Sequence, residues 1–399
     1  MLPLKIRRIT RVRTLKDIIK ANEAYVIDLR RYFRQNPELG GQEVKTQARI
    51  ISELRAMGLE PHAAAGTGVI AEFQGTRPGK TIAIRADIDA LPIADEAEQP
   101  YRSIYTGVCH ACGHDGHTAM LLGVAKALTE LGLDMPGTIR FLFQPREECF
   151  PDGAGIMIDE GALAGVTAII GTHLWQPLPA GKLGIAYGRL MASPSKFTIT
   201  VQGKGGHGSM PQQTIDALAA GAQIVVGLRS IVGNHVDPLE PAVLSVGMFQ
   251  AGNAFNIISA AAKLEGTVRA FSSQVRDVIF ERIDAVCKGV CETAGASYLL
   301  EPFYGVPAVV NQPEVAAVIA QIGREVLGES GVKEVAPVMI GEDFSCYLEK
   351  VPGAFMLLGA GNEEKGIVYP HHHPRFDIDE TVLAGGVEIM ARTALKLLK

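Results

Sequence analysis

The chain is poor in cysteine and has no excess of positive charge. Its 399 residues contain six cysteines, scattered between positions 109 and 346, which are too few for a disulfide scaffold in a chain of this size. Acidic residues outnumber basic ones by 43 to 38, so the formal net charge of −5 gives no reason to expect nucleic acid as a partner. We therefore expect a protein of the reducing cytoplasm.

Long apolar runs are also missing from the sequence. No stretch reaches the roughly 18 consecutive apolar residues of a membrane span, so we expect no membrane partner. The basic start, residues 1–17, lacks the apolar core of a secretory signal. What remains is an ordinary globular composition, with 47% hydrophobic and 20% charged residues, in a chain long enough for two domains.

Side chains that bind metal ions occur in four separate segments. The segments are HACGHDGH with Cys112 and His114, QPREE with Glu147 and Glu148, GTHLW with His173, and YPHHHPRF with His371, His372 and His373. A structural zinc site usually closes four positions with Cys and His alone, whereas a catalytic site uses mixed ligands and keeps a position for water. The mixture of thiol, imidazole and carboxylate groups therefore predicts a metallohydrolase.

The Cys-x-His pair alone is a weak signal. A buried Cys is a common core residue, and an isolated His more often forms a hydrogen bond than a metal bond. The same loop also carries His110, Asp115 and His117, a density of polar groups that a structural loop does not need. A Cys112 nucleophile activated by a histidine is the competing interpretation, but it leaves the glutamate pair and the triple histidine unexplained.

The remaining candidates in these segments have plain structural interpretations as well. Two adjacent acids such as Glu147 and Glu148 are usually a solvated surface pair, although beside a metal one can ligate while the other abstracts a proton from bound water. His173 follows an apolar strand and could simply bond to a carbonyl group. Asp87 and Asp89 point the same way if they lie on one strand, where they would either orient a ligating histidine or cap the next turn.

The hydrophobic pattern predicts alternating strands and helices. Helices are predicted at 15–36, 118–131 and about 156–160, and strands at 69–73, 81–86, 138–143 and 167–170. This alternation favours an α/β fold, a central mixed sheet flanked by helices, whose loops carry the site at the carboxyl ends of the strands. Alternation resumes after 314 and ends in a helix after 379.

A different pattern interrupts this domain. Strands at 197–201, 242–246, 263–271 and 296–301 alternate with helices at 215–232 and 275–293, in a β-α-β-β-α-β order. Because predicted ligands lie on both sides, this domain must be an insertion, and we expect domain segments at 1–188, 189–308 and 309–399. The insertion carries His207 in a glycine-rich turn, Asn256, and Arg269 on a strand, where a guanidinium is suited to clamp a carboxylate.

Eight motifs in order resemble those of the metal-dependent aminoacylase/carboxypeptidase family. They are HACGHDGHTA, QPREE, GTHLW, GGHGSMP, GNAFNIIS, GTVRAF, GEDFS and HHHPRFDIDE. More narrowly, they are similar to those of its N-acyl-amino-acid amidohydrolase subfamily, which includes hippurate hydrolases and plant auxin-conjugate hydrolases. The resemblance implies a catalytic α/β domain with a dinuclear metal centre, interrupted by a ferredoxin-like lid domain through which such enzymes form homodimers or homotetramers.

The resemblance also assigns roles to particular residues. Metal ligands would be Cys112, His114, Glu148, His173 and His372, the last because the family pattern is a His, one further residue, then Pro and an aromatic. Glu147 would be the general base, His207 would polarise the scissile carbonyl, and Asn256 and Arg269 would bind the substrate carboxylate. Where this chain has Asp87-Ile88-Asp89 and Cys112, the wider family has His-x-Asp and an aspartate. Both differences fit the subfamily, but they leave the choice among Zn, Mn, Ni and Co open.

The predicted reaction is hydrolysis of an N-acyl or N-aroyl amino acid, a small molecule, to a carboxylic acid and a free amino acid. A dipeptidase or carboxypeptidase with the same dinuclear centre is the alternative, although no motif supplies an obvious acidic anchor for a free amino terminus. A catalytically silent metal-binding protein is the interpretation from another class. The presence of both Glu147 and Glu148 argues against it, because binding alone needs no base.

Overall fold

The computed structural model describes residues 13–132 and 134–399, so most of the basic start used in the secretory-signal prediction lies outside the described residues. The helices are Leu15–Ala21 (α1), Glu23–Gln35 (α2), Val44–Ala56 (α3), His114–Leu131 (α4), Gly153–Asp159 (α5), Ala217–Leu228 (α6), Ile231–His235 (α7), Ser273–Ala294 (α8), Pro313–Leu327 (α9), Phe344–Leu348 (α10) and Leu383–Leu397 (α11). The strands are His62–Ala64 (β1), Gly68–Gln74 (β2), Arg77–Asp87 (β3), Pro136–Gln144 (β4), Val166–Pro179 (β5), Leu183–Ile185 (β6), Arg189–Met191 (β7), Ser193–Gln202 (β8), Gly206–His207 (β9), Ala242–Ala251 (β10), Ile257–Ile258 (β11), Ala261–Ala270 (β12), Ser297–Tyr304 (β13), Val309–Val310 (β14), Val332–Glu334 (β15) and Gly353–Gly361 (β16).

The chain forms two compact units. The first contains the described residues up to Tyr187 together with Gln312–Val335 and Lys350–Lys399, and the second contains Gly188–Asn311 and Ala336–Glu349. Segment 336–349 therefore belongs to the second unit, whereas the sequence assigns it to the last catalytic segment. The reason is backbone pairing within the second unit, where the Val338 N–H donates to the Leu190 carbonyl at 2.9 Å. The assignment of segments 1–188 and 309–399 to a catalytic domain and of segment 189–308 to a lid domain remains a prediction.

The first unit is built on an eight-stranded mixed sheet in the order β1-β2-β4-β3-β5-β16-β6-β15. Strands β4, β3, β5 and β16 run parallel to one another, and the pairs β1-β2, β2-β4 and β16-β6 are antiparallel. All nine residues of β16 are buried, as expected for a central strand covered on both faces. Helix α4 packs on β3 and α9 on β16. The predicted fold, a central mixed sheet flanked by helices, is confirmed.

The register of the parallel strands brings the motif-bearing segments to one edge of the sheet. Asp87 at the end of β3 pairs with Gln144 at the end of β4, three residues before Glu147. On the other side of β3, Arg85 pairs with Gly171, so His173 lies level with Asp87. Parallel strands deliver their carboxyl-end loops to the same place, which is where ligands bind in open α/β sheets.

Four predicted elements differ from those observed, one of them in the second unit, where the helix predicted at 215–232 is the two helices α6 and α7. The helix predicted at 15–36 is two helices, because Asn22 ends α1 and its N–H bonds back to the Ile18 and Ile19 carbonyls. Helix α4 begins at His114 rather than 118, since Gly113 adopts a φ of 94° and ends the preceding turn. Strand β5 extends well beyond 170 because β16 pairs with it as far as Pro179, so His173 lies within a strand rather than after one.

The second unit contains a four-stranded antiparallel sheet in the order β10-β12-β8-β13. Its elements follow one another as β8-α6-β10-β12-α8-β13, and this order with this topology is the ferredoxin-like arrangement. Alternate residues of β8, including Phe197, Ile199 and Val201, are buried in its core. The predicted inserted α+β fold is confirmed. Among the described residues, no helix combines the length and apolar character needed to cross a membrane.

Candidate metal centre

Cys112, His114 and His173 converge although they come from two different elements. Each contributes one ligand atom, and the three atoms lie within 4.8 Å of one another. The Cys112 Sγ atom is 3.4 Å from the His173 Nε2 atom. Gly113 supports this convergence, since its φ of 94° is the left-handed conformation that favours glycine and lets the chain turn between the two ligands.

Glu148 and His372 complete a second group with Cys112, again with ligand atoms within 4.8 Å of one another. The His372 Nε2 atom is 3.0 Å from the Glu148 Oε1 atom. Both residues are fixed through their backbone: the Glu148 N–H donates to Asp89 Oδ2 at 3.0 Å, and the His372 N–H donates to the Ala111 carbonyl at 2.8 Å. His372 has a φ of 64°, an uncommon conformation for a non-glycine residue and one that accompanies functional sites.

Only one member of the triple histidine faces this group. The His371 ring lies 2.9 Å from the Leu174 carbonyl and 4.8 Å from the Trp175 ring, so it is engaged in packing. The His373 ring stacks on Tyr369 and accepts the N–H of Arg375. The geometry therefore singles out His372 among the three, the residue that the family resemblance also favours.

Backbone carbonyls orient the two buried imidazoles. His114 Nδ1 lies 2.9 Å from the Asp89 carbonyl, and His173 Nδ1 lies 2.8 Å from the Leu174 carbonyl. A carbonyl only accepts, so each Nδ1 carries a proton and each Nε2 is the nitrogen left to face the cluster. The His114 Nε2 atom is buried and has no hydrogen-bond partner. A buried unpaired imidazole nitrogen beside a thiol and carboxylates fits a bound cation.

Asp87 and Asp89 both face His114, with Asp87 Oδ2 3.7 Å from His114 Nε2, and Asp87 also holds a second histidine. Strand β3 ends at Asp87, so the alternation expected to align the two side chains does not extend to Asp89. Asp89 approaches His114, whereas Asp87 Oδ1 lies 2.6 Å from His117 Nδ1. Arg85 holds the other Asp87 oxygen at 2.6 Å. Both aspartates are buried beside the candidate ligands, in contact with histidines, which favours the first of the two interpretations that the sequence left open, orientation of a histidine over capping of a turn.

His117 is a member of the site whose part the sequence did not identify. Its Nε2 atom accepts the Leu174 N–H at 2.8 Å, so it ties β5 to Asp87 next to His173. Asp87, His114 and His117 also bring ligand atoms within 4.8 Å of one another. The available signal was the three-residue spacing from His114, which places both rings on one face of a helix, but the sequence predicted a loop there.

The glutamate pair lies in a turn rather than in an extended loop. Arg146 has a φ of 61°, and its N–H donates to Glu43 Oε1 at 3.0 Å, which turns the chain just before the pair. Glu147 and Glu148 each place a carboxylate oxygen within 4.8 Å of a His114 ring nitrogen. The two acids therefore converge on the ligand cluster instead of diverging, and Glu147 is positioned to act beside it.

Electrostatics at the centre favour a cation over a free thiolate. Burial, followed by the carboxylates of Glu148 and Glu147, raises the pKa of the Cys112 thiol well above its ordinary value. A nucleophilic cysteine needs the opposite, a pKa lowered by nearby positive charge. The cysteine-nucleophile interpretation therefore has no support from this environment, whereas a divalent ion would stabilise the thiolate directly.

The two imidazoles differ in charge preference. Burial opposes a charged His114, yet Asp87 and Asp89 outweigh it and raise the pKa of His114 to about 10. Burial, followed by the imidazoles of His117 and His371, lowers the pKa of His173 well below its ordinary value, so the His173 ring is neutral, the form in which an imidazole can bind a metal ion. The carboxylates thus create a demand for positive charge that a metal ion satisfies better than a proton does, because it can contact several ligands at once.

The candidates in the second unit do not form such a cluster. His207 on β9 pairs with Ile257 on β11, and the Gly208 N–H donates to the Asn256 carbonyl at 2.8 Å, so His207 and Asn256 are neighbours. Both are exposed. Arg269 lies on β12 of the four-stranded sheet, where its guanidinium bonds to Thr267 and to the Val268 carbonyl.

Comparisons with known proteins agree with this geometry. A model described as Peptidase family M20/M25/M40 matches residues 83–396. The chain is 48% identical to an N-acyl-L-amino acid amidohydrolase of Geobacillus stearothermophilus over 76% of this chain and 81% of that protein. It is 38% identical to thermostable carboxypeptidase 2 of Saccharolobus solfataricus, over 96% and 98% of the two chains.

A solved structure with a similar fold is the YXEP protein of Bacillus subtilis, described as a dinuclear metal binding peptidase from the M20 family. It superposes with a TM-score of 0.82 at 36% identity, covering 95% of this chain and 99% of that one. The similarity therefore spans both units of the chain and includes all the segments that carry the candidate ligands.

Proposed function

The chain belongs to the peptidase family M20/M25/M40, and from this membership we propose that it is a metal-dependent amidohydrolase that cleaves N-acyl or N-aroyl amino acids. The observation that carries the proposal is the convergence of thiol, imidazole and carboxylate groups beside Glu147 at the carboxyl edge of the sheet. The amidohydrolase relative at 48% identity supports an N-acyl amino acid as the substrate class.

Five residues would hold two divalent ions of Zn, Mn, Ni or Co: Cys112, His114, Glu148, His173 and His372. Their ligand atoms form two groups that share Cys112. When bound, such ions make a water molecule acidic and polarise the amide carbonyl. Asp89 would hold the His114 ring in its ligating tautomer through the contact with Nδ1.

Glu147 would act as the general base and then as the general acid. Its carboxylate lies beside His114 and Glu148, within reach of a water molecule held by the ligand cluster. It takes a proton from the attacking water and passes it to the departing nitrogen, so the amide is exchanged for a carboxylic acid and a free amine. Such a positioned proton shuttle contributes about 10²–10⁴-fold to the rate.

The substrate carboxylate would be bound by Arg269 and Asn256, and His207 would polarise the scissile carbonyl. Arg269 lies at one end of β12, whereas His207 and Asn256 lie beyond the other end, eight residues or roughly 26 Å away, so the two sets would reach one substrate from different subunits of a dimer. Arg269 is half-buried, its Nε atom is buried without a hydrogen-bond partner, and among the described residues it has no acidic partner. A partly buried guanidinium without a carboxylate is suited to a charged ligand. His207 and Asn256 are adjacent, which suits joint contact with one substrate.

A dipeptidase or carboxypeptidase is the second candidate, because a relative at 38% identity is a carboxypeptidase. The test is a hydrolysis screen of acetyl-, benzoyl- and indoleacetyl-amino acids against free dipeptides, with each of the four metals supplied in turn. We expect the acylated amino acids to be cleaved faster. Faster cleavage of the dipeptides would favour the second candidate, and no cleavage of either class with any metal would contradict the proposal.

We further propose that the protein is cytoplasmic and forms a homodimer or homotetramer through the second unit. Six scattered cysteines in 399 residues are too few for a disulfide scaffold, which suits a reducing compartment. The second unit exposes apolar side chains next to Asn256, namely Phe255 and Ile257, and exposed apolar groups commonly mark protein contacts. Sedimentation of the wild type and of Phe255→Ser tests the assembly: we expect the variant to dissociate at concentrations where the wild type does not.

A further inference from the structure

Two arginines of α2, Arg30 and Arg34, are completely buried. They are four residues apart and so lie on the same face of the helix. Each one reaches two segments that carry candidate metal ligands: residues 110–117, here called the cysteine segment, and residues 370–377, here called the triple-histidine segment. α2 itself carries no candidate ligand.

Arg30 joins the two segments through side chains. Its Nε atom donates to Asp115 of the cysteine segment at 2.9 Å, and Nη2 donates to Asp377 of the triple-histidine segment. Its Nη1 atom donates to Glu380 at 3.1 Å. Asp115 follows His114 directly, so this ion pair fixes the first turn of α4, from which a candidate ligand projects.

Arg34 joins the same segments through backbone carbonyls. Its Nη1 atom donates to the His110 carbonyl at 2.7 Å, and Nη2 donates to the Phe376 carbonyl at 2.8 Å. Asp95 accepts from the Nε atom at 2.9 Å and keeps the guanidinium in place. Two arginines, each with a planar fork of donors, therefore make the same cross-link twice.

The cross-linked segments carry ligands that must meet. Cys112 of one and His372 of the other bring their ligand atoms within 4.8 Å, together with Glu148, and the His372 N–H donates to the Ala111 carbonyl between the arginine contacts. From this doubled cross-link we propose that Arg30 and Arg34 are positioning residues that set the spacing between the two ligand-bearing segments. This inference rests on the proposed metal-binding function.

Stability alone is a poor explanation for such a network. Burying an arginine with several carboxylates carries a large desolvation penalty, and apolar replacements of buried ion pairs are often equally stable. The neighbouring Arg31 offers a matched comparison. It contacts Glu380 and the Tyr101 ring as Arg30 does, but its side chain is 45% exposed and its described contacts include neither ligand-bearing segment.

The test uses the full chain stripped of metal and titrated with Co²⁺ alone. Wild type, Arg30→Lys, Arg34→Lys and Arg31→Lys are compared for Co²⁺ affinity, the visible spectrum of bound Co²⁺, and thermal unfolding of the metal-free protein. Lysine keeps the charge but places its donors on a single nitrogen, so it cannot reproduce the spaced contacts that the guanidinium makes to both segments. We expect Arg30→Lys and Arg34→Lys to weaken Co²⁺ binding by about 10–100-fold and to change the spectrum, as loss of an outer support does. Arg31→Lys should stay within about twofold of wild type, as expected for an exposed ion pair.

Further variants separate positioning from loss of stability. Ile50→Val, a buried change in α3, should lower the unfolding temperature without changing the Co²⁺ spectrum. If Arg30→Lys does not fold, Asp377→Asn removes the charge on the triple-histidine side only and should weaken binding in the same direction. The inference would be overturned if Arg30→Lys and Arg34→Lys bound Co²⁺ with the affinity and the spectrum of the wild type. If Arg30→Lys fails to fold, the same result for Asp377→Asn would overturn it. No Co²⁺ binding by the wild type would instead overturn the proposed function.

Discussion

The two units hold their candidate site residues in opposite ways. In the first unit, Cys112, His114 and His173 are buried, and each imidazole is oriented by a backbone carbonyl. In the second unit, His207 and Asn256 are exposed on a two-stranded pair. A metal centre needs ligands fixed before the ion arrives, because misplaced donors bind weakly. Groups that recognise substrates can remain in contact with water until the substrate displaces it.

From this comparison we expect that the chemistry depends on the first unit and the recognition of substrate on the second. Changes in the first unit should alter metal content and turnover together, whereas changes in the second should alter the choice of substrate with the metal retained. The predictions below test that separation, beginning with the largest expected effect.

Removal of metal should abolish activity completely. Prolonged chelation of the purified enzyme is expected to eliminate hydrolysis, and added Zn²⁺, Mn²⁺, Ni²⁺ or Co²⁺ should restore it, because the proposed reaction needs a water molecule activated by a metal ion. Metal content is measured beside activity. The opposite pair of results would instead identify Cys112 as a nucleophile: full activity after complete removal of metal, and loss of activity after alkylation of the thiol.

Glu147→Gln should lose most of its turnover while keeping its metal. The amide preserves the shape of the side chain but cannot accept a proton, so we expect kcat to fall by about 10²–10⁴-fold. Glu148→Gln is the matched control from the adjacent position and should lower metal occupancy instead. If Glu147→Gln instead lost metal and Glu148→Gln kept its metal but lost turnover, the assignment of base and ligand would be reversed.

Arg269→Ala should impair recognition of the substrate carboxylate and leave the metal centre intact. A charge-assisted bidentate contact contributes roughly 1.5–3 kcal/mol, or about 10–150-fold in kcat/KM. The measurement compares an N-acyl amino acid with its carboxamide, which cannot pair with the guanidinium in the same way. A variant that discriminates acid from amide as well as the wild type does would exclude Arg269 as the clamp.

His117→Ala should weaken metal binding without removing a predicted ligand. The change frees the Leu174 N–H and Asp87 from their shared partner, and loss of such a support costs about 10–100-fold in metal affinity or activity. His373→Ala, whose ring stacks on Tyr369, serves as the control and should match the wild type in titrations with Co²⁺. Equal metal affinity in both variants would remove His117 from the site.

The sequence predicted the site better where function lies in short motifs than where it depends on distant partners. Cys112, His114 and Glu148 stand in local patterns of ligand residues, and the structure places them together. Arg30 and Arg34 lie about 80 residues earlier on an amphipathic helix, where an arginine ordinarily belongs to the solvated face. Only the packing of α2 against α4 shows that these arginines face inward.

The fold was predictable to the extent that hydrophobic periodicity reports burial. The βαββαβ order of the second unit followed from alternating strands and amphipathic helices. The long β5 did not, because its last four residues, Gln176–Pro179, contain two prolines and a glutamine and are held in the sheet by pairing with β16. The start of α4 was hidden for a related reason: His114, Asp115 and Gly116 have low helix propensity, and Asp115 is held by Arg30.

Anomalous diffraction from crystals loaded with Zn²⁺ tests the central claim most directly. The account predicts two anomalous peaks per chain at the carboxyl edge of the sheet. The two zinc ions would share the ligands Cys112, His114, Glu148, His173 and His372, and His117 would lie outside the coordination sphere. The existing alternative is the buried group of Asp87, His114 and His117, whose ligand atoms also lie within 4.8 Å of one another. A single zinc ion coordinated by those three residues, with Cys112 and His372 not coordinated to metal, would contradict the account.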